Sequence, residues 1–287
     1  MNNSIVSMVS AKSILSKASG YIGAFDYTLN PYKGCTFACD YCYAAFFAES
    51  AHRMETWGSW VEAKENAVSL LSRFGKRITG KSIYMSSVTD PYQPIELKLR
   101  LTRRLLESMV SYQPNLVIQT RSPLVLRDLD ILLKFAVLRI NMTVTTDDEN
   151  VRKEFEPQCP SIQRRLEAIE KIKSVGIRTG ICLTPLLPVR DPDSFGNRLR
   201  SANADVYVVQ AFQTGSARFA AGTRPRAWQL AENHGWNLEA YERVKTRLRE
   251  YVPQLHEGRE GFMPERLHEA DVERNNAGPE ASRGRRA

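Results

Sequence analysis

Three of the five cysteines, Cys35, Cys39 and Cys42, crowd into the run Asn30-Pro31-Tyr32-Lys33-Gly34-Cys35-Thr36-Phe37-Ala38-Cys39-Asp40-Tyr41-Cys42-Tyr43. An odd cysteine count without a signal-peptide pattern argues against a disulfide framework and for metal or redox chemistry. Thiolates spaced Cys-x3-Cys-x2-Cys on one tight loop can hold three irons of a cubane [4Fe–4S] cluster, which ordinarily takes four protein ligands. The remaining iron then stays open. The amino and carboxylate groups of S-adenosylmethionine would chelate it and bring the sulfonium beside a one-electron donor. Two other readings use the same residues. Cys39 and Cys42 form a zinc half-site with His52 nearby, although a closed zinc site wants four ligands. A purely electron-carrying cluster would want a fourth nearby cysteine.

Such a loop needs elements to hold it. Six β-rich runs follow one another in the chain: Ala24–Asn30, Ser82–Ser87, Leu116–Thr120, Leu138–Thr145, Ile177–Leu183 and Asp205–Gln210. Between them lie apolar residues at helical spacing: Trp60, Val61, Ala67, Val68, Leu71 and Phe74; Leu101, Leu105, Leu106 and Met109; Ile162, Leu166, Ile169, Ile172 and Val175. This alternation predicts an α/β fold of parallel strands with right-handed crossovers, as either an open sheet or an incomplete barrel. In both, chemistry sits at the C-terminal ends of the strands, and the cysteine run follows the first. Residues 1–20 read as an irregular lead-in, 21–213 as the strand-helix core, and 214–257 as a helical cap with helices over Arg226–Glu232 and Leu238–Tyr251. Residues 258–287, ending in the polar stretch Asn275–Ala287, read as a disordered tail.

Forty Lys and Arg against 32 Asp and Glu give a net charge of +8, which favours anionic partners such as nucleic acid or nucleotides. Some of that excess, including Arg266, Arg274, Arg283, Arg285 and Arg286, falls in the tail. No apolar run is long enough to cross a membrane, so the expectation is a cytoplasmic protein without a membrane partner. Gly75–Ser82 satisfies the phosphate-loop expression G-x4-G-K-[ST], but a helix precedes it and a strand follows, the reverse of the order that aims a helix N-terminus at phosphates. His52, His234, His256 and His268 show no metal spacing, and Trp60 reads as a packing residue.

The cysteine run resembles the cluster-binding signature of the radical S-adenosylmethionine superfamily, in which the first βα loop of a partial (β/α)6 TIM-like barrel carries the cysteines. A finer resemblance covers about residues 12 to 213. The segments Asn30–Cys35, Thr89-Asp90-Pro91-Tyr92-Gln93-Pro94, Gln119-Thr120-Arg121-Ser122-Pro123 and Phe155-Glu156-Pro157 are similar to those of enzymes related to spore photoproduct lyase, many labelled DNA repair photolyase. The resemblance implies a [4Fe–4S] cluster on Cys35, Cys39 and Cys42, S-adenosylmethionine as cofactor, and an external flavodoxin- or ferredoxin-like one-electron reductant. The implied reaction is reductive cleavage to a 5′-deoxyadenosyl radical that takes hydrogen from a substrate, with nucleic acid or a nucleotide as the leading class and a small metabolite or peptide as the alternative.

Carried over position by position, the resemblance puts Tyr41 against the adenine and Ser86, Ser87 and Asp90 near the cofactor's amino group. Arg121, Thr143 and Arg165 fall toward its carboxylate or ribose. Ser87 also marks a departure. The lyase donates hydrogen from a cysteine after its second strand, where this chain has a serine whose O–H bond is much stronger than S–H, which argues against thymine-photoproduct repair by that route. Cys159 and Cys182 read as small buried hydrophobes, with hydrogen donation from elsewhere as the other role open to them.

Overall fold

The computed structural model describes residues 4–215 and 222–265. Eleven strands can be traced among them: β1 Ile5–Val9, β2 Leu15–Lys17, β3 Tyr27–Leu29, β4 Tyr32–Lys33, β5 Trp60–Lys64, β6 Ser82–Met85, β7 Asn115–Thr120, β8 Leu138–Thr143, β9 Arg178–Leu183, β10 Val206–Val209 and β11 Leu255–Glu257. Eight form one sheet in the order β11-β10-β9-β8-β7-β6-β3-β2, and β1-β5-β4 form a second, small one. All six expected strands are present as the parallel series β3-β6-β7-β8-β9-β10. The sheet curves into a partial barrel without closing.

Alternation along these strands separates two apolar layers. On β6, Ile83 and Met85 face the helices, while Tyr84 turns into the lumen with Phe25, Val117, Cys182, Val208 and Phe262. Above this plug the lumen turns polar: Tyr84 donates to Gln119 (2.9 Å), and Gln119 donates to Thr143 (2.8 Å). Helices Leu101–Val110 and Ile162–Ser174 cover the outer face as their spacing predicts. The second is capped by Ser161, whose hydroxyl accepts from the Arg164 amide.

Several expectations need correction. The lead-in expected over residues 1–20 is not irregular where the structure describes it, from residue 4 on, since β1 pairs with β5 and β2 with β3. Trp60 opens a strand, not a helix. Trp60, Val61 and Ala63 are buried along β5, and the helix begins only at Ala67, so two apolar neighbours fit both periods until the partner strand decides. The C-terminal helices, Pro225–Asn233 and Leu238–Tyr251, are followed by β11, which extends the parallel sheet beyond β10. The tail cannot start at residue 258. Phe262 plugs the lumen, and the Glu265 carboxylate accepts from Arg139 and pairs with Arg178 at 3.1 Å. Residues 266–287, with His268 and the five arginines named above, lie outside the described residues. Gly75–Ser82 runs from a 3-10 turn into β6, and its Ser82 hydroxyl is held by Asp26 at 2.8 Å, as a strand start rather than a phosphate loop.

Because Arg139 and Glu265 are both buried, removing one partner strands a charge inside the barrel, which costs about 3–5 kcal/mol. Glu265→Ala is therefore expected to lower the urea-unfolding free energy by about that much, while a Glu265→Gln variant loses less; equal stability of Glu265→Ala and wild type would refute the assignment.

Candidate active site

The cysteine loop leaves the sheets through Gly34, whose φ of +78° and close approach to Trp60 exclude other residues. A Cβ there would stand 2.5 Å from the Trp60 carbonyl oxygen. The Gly34 carbonyl accepts from Thr89 Oγ1 (2.7 Å) and Gln93 Nε2 (3.3 Å), and Gln93 Oε1 accepts from the Thr36 amide (3.0 Å). The Thr89–Pro94 motif thus clamps the start of the loop. Its Asp90 accepts from the Tyr92 amide, the Thr120 hydroxyl (2.7 Å) and the Arg121 amide (2.8 Å), joining the ends of β6 and β7.

Cys35 and Cys39 are buried and Cys42 is half-buried. Burial pushes the Cys35 thiol well up, with the Asp90, Cys39 and Cys42 charges adding to it, and pushes Cys42 up to about 11. Cys39 goes the other way. Burial opposes its thiolate, but a hydrogen bond from Cys159 and the Arg121 charge hold it below the ordinary thiol value. Arg121 Nη1 lies 2.8 Å from Cys39 Sγ and donates to Tyr41 Oη at 2.7 Å, with the guanidinium 5.7 Å from the Tyr41 ring centroid.

Beneath this group lies Glu156, wholly buried. One carboxylate oxygen accepts from the Tyr41 hydroxyl, Thr145 Oγ1 (2.9 Å) and Arg121 (3.3 Å), and the other accepts from Arg165 Nη2. Burial alone would push its pKa up, but the Arg165 and Arg121 guanidiniums hold it at about 2. Helix Glu149–Phe155 stops one residue earlier, where Pro157 disfavours a helical Glu156. Arg152 holds the exit through the carbonyls of Glu156 (3.0 Å) and Cys159 (2.9 Å). That turn brings Cys159 Sγ to 3.6 Å from Cys39 Sγ.

The structure therefore joins Tyr41, Arg121 and Arg165 directly through Glu156. Thr143 meets Arg165 by its carbonyl (3.2 Å), and the Asp90 carboxylate accepts from the Arg121 backbone amide. Arg165 spends its charge on Glu156 and its Nε on the Pro160 carbonyl (3.0 Å). Ser87 stands apart, sharing a 2.9 Å hydrogen bond with Thr28 and accepting from Asn30. Ser86, in phase with lumen-facing Tyr84, is buried with no hydrogen-bond partner for its hydroxyl. The sequence assigns Glu156 no site role and reads Cys159 as a buried hydrophobe or a hydrogen donor, not as a neighbour of Cys39. Phe155-Glu156-Pro157 was visible as a motif, but only the three-dimensional turn reveals a buried anion.

Three free thiols that sense one another's charge suit a cluster whose thiolates bind separate irons, and the orphaned Ser86 hydroxyl offers an unused acceptor for a polar ligand in the lumen. Among the described residues no three His, Cys, Asp or Glu side chains converge as ligands of one ion, so the zinc alternative has no preformed site.

Comparison with known proteins gives three kinds of likeness. Residues 29–202 match the family profile of the radical SAM superfamily. An uncharacterized protein of Methanocaldococcus jannaschii is 40% identical over 162 residues, 56% of this chain and 61% of that protein. Another, of Acidianus two-tailed virus, is 30% identical over 175 residues, 56% of each. The chain thus spans only about three fifths of the length of these relatives. In fold it is similar to a spore photoproduct lyase mutant (TM-score 0.60, 14% identity, 87% of this chain and 79% of that one). It is also similar to Streptococcus suis SuiB bound to S-adenosylmethionine (0.51, 13%, 80% and 49%). With the profile covering more than half of its residues, the chain belongs to the radical SAM superfamily, whose members use a [4Fe–4S] cluster and S-adenosylmethionine.

Proposed function

We propose that this chain is an enzyme that cleaves S-adenosylmethionine reductively and uses the resulting radical to take hydrogen from a nucleic acid or nucleotide. The observation that carries the reading is the position of Cys35, Cys39 and Cys42 on the loop after the first parallel strand, at the end of the sheet where α/β folds place chemistry. When bound, cluster and cofactor supply a 5′-deoxyadenosyl radical; the chain's own residues hold and insulate them. Cys35, Cys39 and Cys42 are the cluster ligands in this reading. Ser86, whose hydroxyl has no partner, and the remaining lone pairs of Asp90 would accept from the cofactor's ammonium, and Tyr41 would pack toward its adenine. Arg121 donates to Cys39 Sγ and so withdraws charge from that ligand. Thr143 and Gln119 line the lumen below. Glu156 is a positioning residue, fixing Tyr41 and Arg121 through its wholly buried carboxylate.

The net charge of +8 supports an anionic substrate, and the fold-level likeness to spore photoproduct lyase agrees with it. Ser87 supports a radical reaction other than that lyase's, because a hydroxyl there is a poor hydrogen donor.

Protein reconstituted anaerobically with iron and sulfide, reduced with dithionite and given S-adenosylmethionine is expected to release 5′-deoxyadenosine. The Cys35→Ala, Cys39→Ala, Cys42→Ala triple variant should release none; a wild type that holds about four irons yet never cleaves the cofactor defeats the reading. Glu156→Gln removes one negative charge near Cys39 while keeping its shape. Spectroelectrochemical titration should find the cluster potential raised on the order of 50–100 mV, from Coulomb's law at an effective dielectric constant of about 20, and an unchanged potential would remove Glu156 from the site's electrostatics. A fluorescent single-stranded oligonucleotide should bind with affinity that falls steeply between about 50 and 200 mM salt; salt-insensitive or absent binding favours the alternative of a small metabolite or peptide.

A further inference from the structure

The small sheet ends in an edge that the described residues leave open. β1 pairs with β5 on one side, in parallel, and no other described strand pairs with its far side. Its bonds to β5 and the flanking turns use alternate residues: the Ile5 amide donates to the Ser59 carbonyl (2.8 Å), and the Val9 carbonyl accepts from the Glu65 amide (3.1 Å). By the same alternation Val6 and Met8 turn their N–H and C=O groups toward the open edge. The side chains along it are apolar and exposed, Ile5 by 71%, Val6 by 41% and Met8 by 49%. The other three edges of the two described sheets are shorter, and each carries an ionisable side chain: Lys17 on β2, Lys33 on β4 and Glu257 on β11. Short length and charge both discourage edge-to-edge pairing, and β1 has neither protection, since residues 4–10 contain no charge and no proline.

The sequence of this edge specifies what fits it. Residues 4–10, Ser-Ile-Val-Ser-Met-Val-Ser, run almost the same in both directions about Ser7. Laid antiparallel against itself, the segment sets Ser4 opposite Ser10, Ile5 opposite Val9 and Val6 opposite Met8, with Ser7 opposite its own copy. Val6 and Met8, whose backbone groups are free, then fall in hydrogen-bonded pairs, and Ser7 falls in the non-hydrogen-bonded pair on the two-fold axis. A foreign strand would need no such symmetry, whereas a two-fold contact requires a surface complementary to itself. We infer that β1 is a homodimer interface, pairing antiparallel with β1 of a second copy and joining two three-stranded sheets into one of six strands. The contact is small, so the dimer is weak and forms at micromolar concentrations. It also bears on the cysteine loops, because β4 enters that loop and β5, beside β1, returns from it.

Sedimentation equilibrium of the full chain should show a monomer–dimer equilibrium that shifts with concentration. A Val6→Lys, Met8→Lys variant sets like charges directly opposite one another and should raise the dissociation constant at least tenfold. Mixed with a Val6→Glu, Met8→Glu variant it should dimerise again, a rescue that misfolded protein would not give. Cross-linking reads the register. Ser7→Cys places two thiols on Cα atoms about 4.5 Å apart, within disulfide range, so mild oxidation should give a covalent dimer whose linked peptide is identified by mass spectrometry. Ile5→Cys, roughly 14 Å from its own copy, should give no link through that residue. A chain that stays monomeric at every concentration, whatever else covers the edge, would overturn the inference. So would a dimer that the lysine pair leaves intact, no rescue on mixing, or equal cross-linking through Ser7→Cys and Ile5→Cys.

Discussion

A single buried carboxylate organises this molecule. Glu156 has no access to water, so its charge is tolerable only because Arg165 and Arg121 compensate it and the Tyr41 and Thr145 hydroxyls satisfy its remaining lone pairs. Each partner comes from a different segment: the cysteine loop, the end of β7, the turn after β8 and the first turn of helix Ile162–Ser174. The fold cannot shift any of them without exposing an unpaired charge to an apolar interior. The same ion cluster is thereby both a structural rivet and the electrostatic setting of Cys39, since the guanidinium that answers Glu156 also donates to the sulfur.

The rest of the barrel divides labour by side-chain alternation. One face of each strand joins the helices in the main core, while the other gives a lumen that is apolar at its base and polar above. The apolar plug closes the lower end with Phe262, from a segment that arrives after every parallel strand has been laid down. Within the polar layer Tyr84, Gln119 and Thr143 satisfy one another in sequence, while the Ser86 hydroxyl, Asn141 Nδ2 and Gln210 Nε2 are buried without a partner.

Much of this was legible in the sequence, for identifiable reasons. Parallel strands buried on both faces read as continuous apolar runs, so β6 to β10 were found to within a few residues, and helix Leu238–Tyr251 announced itself by its period. The cysteine spacing pointed to the site because three thiols so close together have few structural uses. What stayed hidden depends on long-range pairing. β1 and β2 are short edge strands whose residues gain a partner only in the fold. Trp60 fits a helix as well as a strand until β1 lies beside it. Arg165 looked available for a ligand because a sequence cannot show that Glu156, nine residues earlier, will be folded underneath it. Cys159 likewise gains its meaning only from the turn that Arg152 secures.

The small sheet has a consequence for how the site is assembled. β4 enters the cysteine loop and β5 leaves it, and the two pair antiparallel through Tyr32 with Ala63 and Lys33 with Glu62. The segment between them is therefore pinned at its base by backbone pairing, which offsets part of the entropy cost of bringing its ends together. Many small metal-binding domains are unfolded until their ion binds. Here the span of the loop is set by the chain's own strand pairing, so a substitution that disrupts β4 or β5 would displace the cysteines without touching any of them.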